Sequence, residues 1–166
     1  MKIAIISDIH DSIANLRAAL RAMESVDEII CCGDLCSPFI VSELGEGFPR
    51  PIHVVFGNND GDRFRISSTA ERYSNIRILG EFAEIERDGR TFLVNHFDTI
   101  GRALARGSDE AVICFGHNHQ FEIRRSGTAL IVNPGEIFGG LTGSSTYALY
   151  DTATGQAVRV DVPDSP

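Results

Sequence analysis

Seven residues able to bind a metal stand at the ends of short apolar runs. Asp8 and His10 close IAIISDIH, Asp34 closes EIICCGD, Asn58 lies in HVVFGNND, His96 closes FLVNH, and His117 and His119 close AVICFGHNH. Such runs read as strands, and side chains at the ends of neighbouring strands meet in space although they lie far apart in sequence. In extended backbone, residues two apart point the same way, so Asp8 with His10, and His117 with His119, are each expected to offer two donors to one ion. The mixture of carboxylate, imidazole and amide suits Mn, Fe, Ni or Zn better than the all-oxygen set typical of Ca or Mg. Gathering these groups without an ion would leave buried polar atoms unsatisfied at roughly 1 to 3 kcal/mol each. A metal-dependent enzyme is the reading that follows. A single D-x-H or H-x-H is commonplace; the ordered set carries the argument.

The elements that must position these groups can be traced along the chain. Asp11 or Ser12 is placed to cap a helix in which Ile13, Leu16, Leu20 and Met23 recur at helical spacing. Ser37-Pro38 opens a second helix, with Gly45 as its expected stop. Short continuous Ile/Val runs between helices predict strands buried on both faces, hence a largely parallel sheet. After about Ile76 hairpin signals take over: Asp88-Gly89, Ser126-Gly127 and Thr154-Gly155 each separate two strand-like halves, so the second half is expected to be mainly antiparallel. Residues 101–106 allow a short helix. The stretch 62–73 fits neither period and is expected to be a flap or a short helix, and the glycine-rich 135–145 a flexible loop over the site.

With 166 residues, 43% of them hydrophobic, the chain suits one domain over 1–162, with 163–166 expected to fray. A formal net charge of -8 argues against a nucleic-acid partner, which needs clustered Lys and Arg. No apolar run approaches the roughly 20 residues of a membrane span, and the N-terminus enters a strand directly, so a cytoplasmic protein is expected. Cys31 and Cys32 face opposite sides of one strand and Cys114 lies in another, which reads as core; Cys36, two past Asp34, is near the expected site but lacks C-x-x-C pairing.

Taken in order, DIH at 8–10, GD at 33–34, GNND at 57–60, His96, GHNH at 116–119 and NPGE at 133–136 resemble the calcineurin-like metallophosphoesterases. The short length and Asp60 resemble the small bacterial and archaeal phosphodiesterase branch, which also contains the retromer subunit of the same fold. The resemblance implies an α/β fold, a sandwich of two mixed sheets flanked by helices in four layers. It implies one metal held by Asp8, His10, Asp34 and His119 and a second held by Asp34, Asn58, His96 and His117, with Asp34 bridging. The two divalent ions are expected to be Mn2+ first, with Ni2+, Fe2+ or Zn2+ as alternatives. Two ions about 3.5 to 4 Å apart can hold a bridging hydroxide and neutralise charge growing on a phosphoryl group. A phosphodiesterase acting on small or nucleotide-like phosphate esters is therefore expected, with Asp34, Asn58 and Asp60 in catalytic roles and a homo-oligomer by resemblance alone.

The chain also departs from that pattern. Asp60 stands where other branches carry a His that stabilises the departing oxygen, which predicts a preference for good leaving groups; the plainer alternative is that Asp60 caps a turn. Phe97 and Asp98 follow His96 where the family continues with Gly and His, so Phe97 is expected to narrow the pocket or stack on an aromatic group, with burial in the core as an equal alternative. Arg63 and Arg65 would clamp a phosphate or form a solvated charged face. Glu136 replaces a frequent Ser and adds negative charge near the rim. The rival function is a protein-interaction scaffold with bound metal and little catalysis; a Ser or Cys hydrolase lacks any G-x-S-x-G.

Overall fold

The computed structural model describes residues 1–163. Of the tail expected to fray, 164–166 lie outside the described residues. The first half alternates strand and helix: β1 (Lys2–Ile6), α1 (Ile13–Ala22), β2 (Glu28–Cys31), α2 (Pro38–Gly47), β3 (Ile52–Val54), α3 (Arg63–Ala70) and β4 (Ile76–Ile78). The second half holds β5 (Phe82–Arg87), β6 (Arg90–Asn95), α4 (Asp98–Ala105), β7 (Val112–Cys114), β8 (Glu122–Ser126), β9 (Ala129–Asn133), β10 (Thr146–Asp151) and β11 (Gln156–Asp161). One sheet runs β11-β10-β1-β2-β3-β4 and the other β5-β6-β7-β9-β8.

Three apolar layers separate four structural ones. Ala4, Ile6, Ile29, Cys31, Ile52 and Val54 meet Leu16, Leu20, Ile40, Leu44 and Ile66 of α1 to α3 on the outer face of the first sheet. The alternate residues of the same strands, Ile3, Ile5, Ile30 and Cys32, face Phe92, Val94, Val112 and Val132 of the second sheet. Ile113, Phe115 and Ile131 complete the stack beneath Ala105 of α4. Cys31 and Cys32 thus enter different layers, as strand alternation requires, and all four cysteines are free.

Two expectations need correction. The hairpins at Asp88-Gly89, Ser126-Gly127 and Thr154-Gly155 are present, but β4 still pairs in parallel with β3, so the antiparallel region starts later than Ile76. Moreover β7 lies parallel between β6 and β9; the link from β6 runs through α4, a crossover of the length that parallel pairing demands. The ambiguous stretch at 62–73 is a helix over Arg63–Ala70, capped by the Asp62 carboxylate accepting from the Arg65 N–H at 3.1 Å. Its apolar pattern was unreadable because Phe64 points outward while Ile66 and Ala70 face the core.

Candidate metal centre

Every expected ligand lies beyond the carboxyl end of a strand, and both sheets contribute: β1 leads to Asp8, β2 to Asp34, β3 to Asn58, β6 to His96, and β7 to His117 and His119. Backbone bonds lace these loops together. The N–H of Asp8 donates to Gly33 O at 3.1 Å, those of Ile9 and His10 to Asp34 O at 3.0 and 3.1 Å, and that of Gly116 to His96 O at 2.9 Å. Close approach demands glycine here: a Cβ on Gly33 would lie 2.6 Å from Gly57 N, and one on Gly116 would strike the Ser7 and Asp8 side chains.

The ligand loops are not extended, contrary to expectation. Asp8, His10, Asp34, His117 and His119 have φ between 45° and 71°. They are five of the nine described non-glycine residues with positive φ. The left-handed region costs an L-residue roughly 1 to 2 kcal/mol, and Asp and His tolerate it better than most. Asp8 and His10 still converge, by left-handed turns rather than by pleat, whereas the His117 ring lies against His96 and Phe97.

Within the cluster, His10 Nε2 lies 3.7 Å from Asp8 Oδ1 and 3.5 Å from Asp34 Oδ2. His96 Nε2 lies 3.3 Å from Asp34 Oδ2, and His119 Nε2 lies 3.4 Å from Asp8 Oδ1. Asp34 Oδ2 therefore stands between His10 and His96, where a shared ligand belongs. Two compact groupings of donors emerge, Asp8 with His10 and His119, and Asp8 with Asp34 and His96. Asn58 Oδ1 is 3.0 Å from His96 Nε2, and the exposed His117 ring meets that of His96 edge-on at 5.2 Å. Five of the seven expected ligands thus share the two groupings, and Asn58 and His117 adjoin them at His96.

The electrostatics suit a cation. Burial would raise the Asp34 carboxyl, but bonds from His96 and from Asn59, whose N–H and amide both donate at 2.8 Å, hold it well below the usual carboxylate range. The Asp8 carboxylate, 3.7 Å from Nε2, raises the His10 imidazole against the cost of burial, and at His96 the Asp34 carboxylate more than offsets burial. Asp8 Oδ1 and His10 Nε2 are buried without a hydrogen-bond partner. Orphaned donors of this kind, aimed at a common point, fit a metal ion. The outer nitrogens are already engaged: His96 Nδ1 donates to Cys32 O at 2.8 Å and His119 Nδ1 to Glu136 Oε2 at 2.7 Å, which leaves Nε2 of each ring for coordination.

Asp60 has a different place from that of a leaving-group acid. Its side chain is 2% exposed, with Oδ2 accepting from the N–H groups of Asp34 at 3.0 Å and Gly57 at 2.7 Å and Oδ1 from Cys36 at 2.9 Å. Those three bonds tie the second and third ligand loops together, so the turn-holding alternative describes its surroundings. Arg63 pairs with Glu81 and reaches Gly57 O at 3.5 Å, while Arg65 faces Asp62 at 3.6 Å; both have carboxylate partners instead of an open phosphate site. The 135–145 loop is anchored, with Ile137 and Phe138 N–H donating to Ser7 and Asp8 carbonyls at 3.0 Å. Sequence reading overlooked Asn59, although the doubled Asn of GNND was a signal. It also overlooked Asn133, whose amide donates to Gly116 O at 3.2 Å and to Asn118 Oδ1 at 2.8 Å, steadying the His117 to His119 turn.

Residues 1–155 match the calcineurin-like phosphoesterase superfamily domain. The chain is 34% identical over 157 residues to phosphodiesterase MJ0936 of Methanocaldococcus jannaschii, covering 92% of this chain and 93% of that protein. A solved structure of an archaeal phosphodiesterase superposes with a TM-score of 0.88 at 30% identity, covering 97% and 99% of the two chains. Vps29 of Entamoeba histolytica shares the fold, with a TM-score of 0.67 at 19% identity over 97% and 99% of the chains. No helix among the described residues is long and apolar enough to cross a membrane. Ordered motifs, two-sheet architecture and family match agree: this chain belongs to the calcineurin-like phosphoesterase superfamily, hydrolases of phosphate esters.

Proposed function

We propose that the protein is a cytoplasmic phosphodiesterase that uses two divalent ions, Mn2+ before Ni2+, Fe2+ or Zn2+, to hydrolyse small aryl or nucleotide-like phosphodiesters. The carrying observation is the pair of buried, unpartnered atoms Asp8 Oδ1 and His10 Nε2 amid the imidazoles of His96 and His119 and the Asp34 carboxylate. Asp8, His10, Asp34 and His119 would hold one ion and Asp34, Asn58, His96 and His117 the other. When bound, the ions supply an activated water and neutralise the charge that develops on the phosphoryl oxygens. The chain's own part is preorganisation. Strained loops fix the carboxylates before substrate arrives, Asn59 holds both Asp34 oxygens in place, and outer-nitrogen bonds set the tautomers of His96 and His119. The Asn58 amide, a neutral ligand, has N–H groups able to steady a phosphate oxygen.

Two half-buried aromatic rings support the substrate class. Phe138 lies 5.7 Å from the His10 ring, and Phe97 lies 5.3 Å from His96 and 5.0 Å from His117. They flank different donor groups, so either arm of a diester can meet an aromatic surface. The strongly exposed Phe39 and Phe64, on the first turns of α2 and α3, favour a second reading, a protein-interaction scaffold. The test is hydrolysis of an aryl phosphodiester by metal-stripped protein reloaded with Mn2+, beside Asp34→Ala treated identically. Metal-dependent turnover lost in the variant supports the enzyme; bound metal without turnover of any aryl or nucleotide diester overturns it in favour of the scaffold.

A further inference from the structure

The three buried or half-buried imidazoles of the centre differ in what stands behind them. His96 Nδ1 faces a backbone carbonyl and His10 Nδ1 faces the Cys36 sulfur at 3.4 Å, a weak partner, whereas only His119 is backed by a carboxylate, that of Glu136 at 2.7 Å. Glu136 follows β9 and is fully buried. Its other oxygen, Oε1, accepts three bonds from the glycine-rich loop: Leu141 N–H at 3.1 Å, Thr142 N–H at 2.7 Å and the Thr142 hydroxyl at 2.8 Å. No other side-chain oxygen in the loop spans a ligand and the loop in this way among the described residues. The same loop carries Phe138 to the His10 ring, and its Thr142 and Ser144 line a cleft of about 200 Å³ with His119 and Arg159.

We propose that Glu136 is a positioning residue that holds His119 as the Nδ1–H tautomer for coordination and, through its second oxygen, makes the order of the 137–145 loop depend on metal at that imidazole. The inference rests on the two-metal reading above. A carboxylate behind a ligating His orients the ring and makes it a stronger donor, and losing such a partner typically costs about 10- to 100-fold in metal affinity. Because the two oxygens belong to one rigid group, whatever fixes His119 also fixes the acceptor on which three loop donors converge. Linkage makes the effect reciprocal: an ordered loop must favour the metal by the factor with which the metal favours the loop.

Glu136→Gln separates this role from mere packing, since it keeps the volume. Its carbonyl can satisfy the loop donors, but its amide then confronts His119 Nδ1 with hydrogens and forces the ring to accept there, moving the proton to Nε2, which faces Asp8. Mn2+ affinity is read by competition with a chelating dye, the tautomer by imidazole 15N shifts of the metal-free protein, and loop order by amide hydrogen exchange. In Glu136→Gln, one of two Mn2+ equivalents is expected to weaken by about 10- to 100-fold, with His119 shifted to the Nε2–H form. In the unaltered protein, which tests the coupling whether or not the variant folds, Mn2+ is expected to slow exchange at Leu141 and Thr142. Unchanged affinity of both equivalents, an unchanged tautomer, or Mn2+-independent exchange at those amides overturns the proposal. Failure of the unaltered protein to bind two equivalents would instead sink the two-metal reading, and this proposal with it.

Discussion

Replacing Asp60 by Ala tests whether this carboxylate builds the site or acts in it. The substitution would strand three buried N–H groups, those of Asp34, Gly57 and Cys36, now bonded at 2.7 to 3.0 Å. An unsatisfied buried donor costs roughly 1 to 3 kcal/mol, and some relief from water entering the vacated space brings the expected total to roughly 3 to 6 kcal/mol. That is a large part of the about 5 to 15 kcal/mol that holds an average domain together. With a urea m-value of about 2 kcal/mol/M, the midpoint should fall by about 1.5 M or more. Asp60→Asn is milder: its carbonyl oxygen can keep the Asp34 and Gly57 bonds while its NH2 opposes Cys36 N–H, at a cost of about 1 to 3 kcal/mol. Urea unfolding of metal-free protein measures both, so lost metal binding cannot masquerade as lost stability. If Asp60→Ala unfolds within about 0.5 kcal/mol of the parent, the range of an ordinary surface change, while turnover falls most for poor leaving groups, the structural account is wrong. Asp60 would then be the acid that its position in the motif first suggested.

Other perturbations have equally definite outcomes. Gly116→Ala places a methyl against the Ser7 and Asp8 side chains and should abolish Mn2+ binding in a dye competition, whereas Gly61→Ala meets no atom within 4 Å and should leave binding unchanged. Adding Mn2+ at 100 times its Kd should stabilise the stripped protein by about 2.7 kcal/mol per independent site; Asp34→Ala should lose this rise in Tm. Phe97→Ala and Phe138→Ala should raise KM for an aryl diester more than for a dimethyl phosphate diester, as steady-state kinetics would show. Burial lowers the His53 imidazole, against the pull of Glu28 at 3.2 Å and with help from Arg87 and Arg77. Its folded pKa lies below the unfolded 6.5, so its contribution is full above 6.5 and is lost as pH falls toward the folded value. The urea midpoint of His53→Gln should therefore drop less between pH 7.5 and 5.5 than that of the parent.

The strand ends were legible because both signals are local: an Ile/Val run announces a strand, and a polar cluster after it announces a carboxyl end. What could not be read is how the chain leaves the strand. Asp8 and His10 look, by spacing alone, like neighbours on one pleat, yet both adopt left-handed backbone because their N–H groups are claimed by Gly33 and Asp34, on a loop that is remote in sequence. Asp60 and Glu136 fail the same test from the other side. Each is a carboxylate in a motif of carboxylates, so type and position suggest a chemical role, but their partners, Cys36 N–H and the Thr142 hydroxyl among them, are fixed only by tertiary packing. A residue that acts through backbone amides leaves no periodic trace. The division has a physical basis: strain of roughly 1 to 2 kcal/mol at each of five left-handed ligands must be offset by bonds elsewhere. Buried carboxylates accepting several N–H groups are strong enough to supply that offset. A site held under strain by groups that never touch substrate should therefore lose metal affinity on mutation of either carboxylate, Asp60 through the stability of its loops and Glu136 also through the orientation of His119.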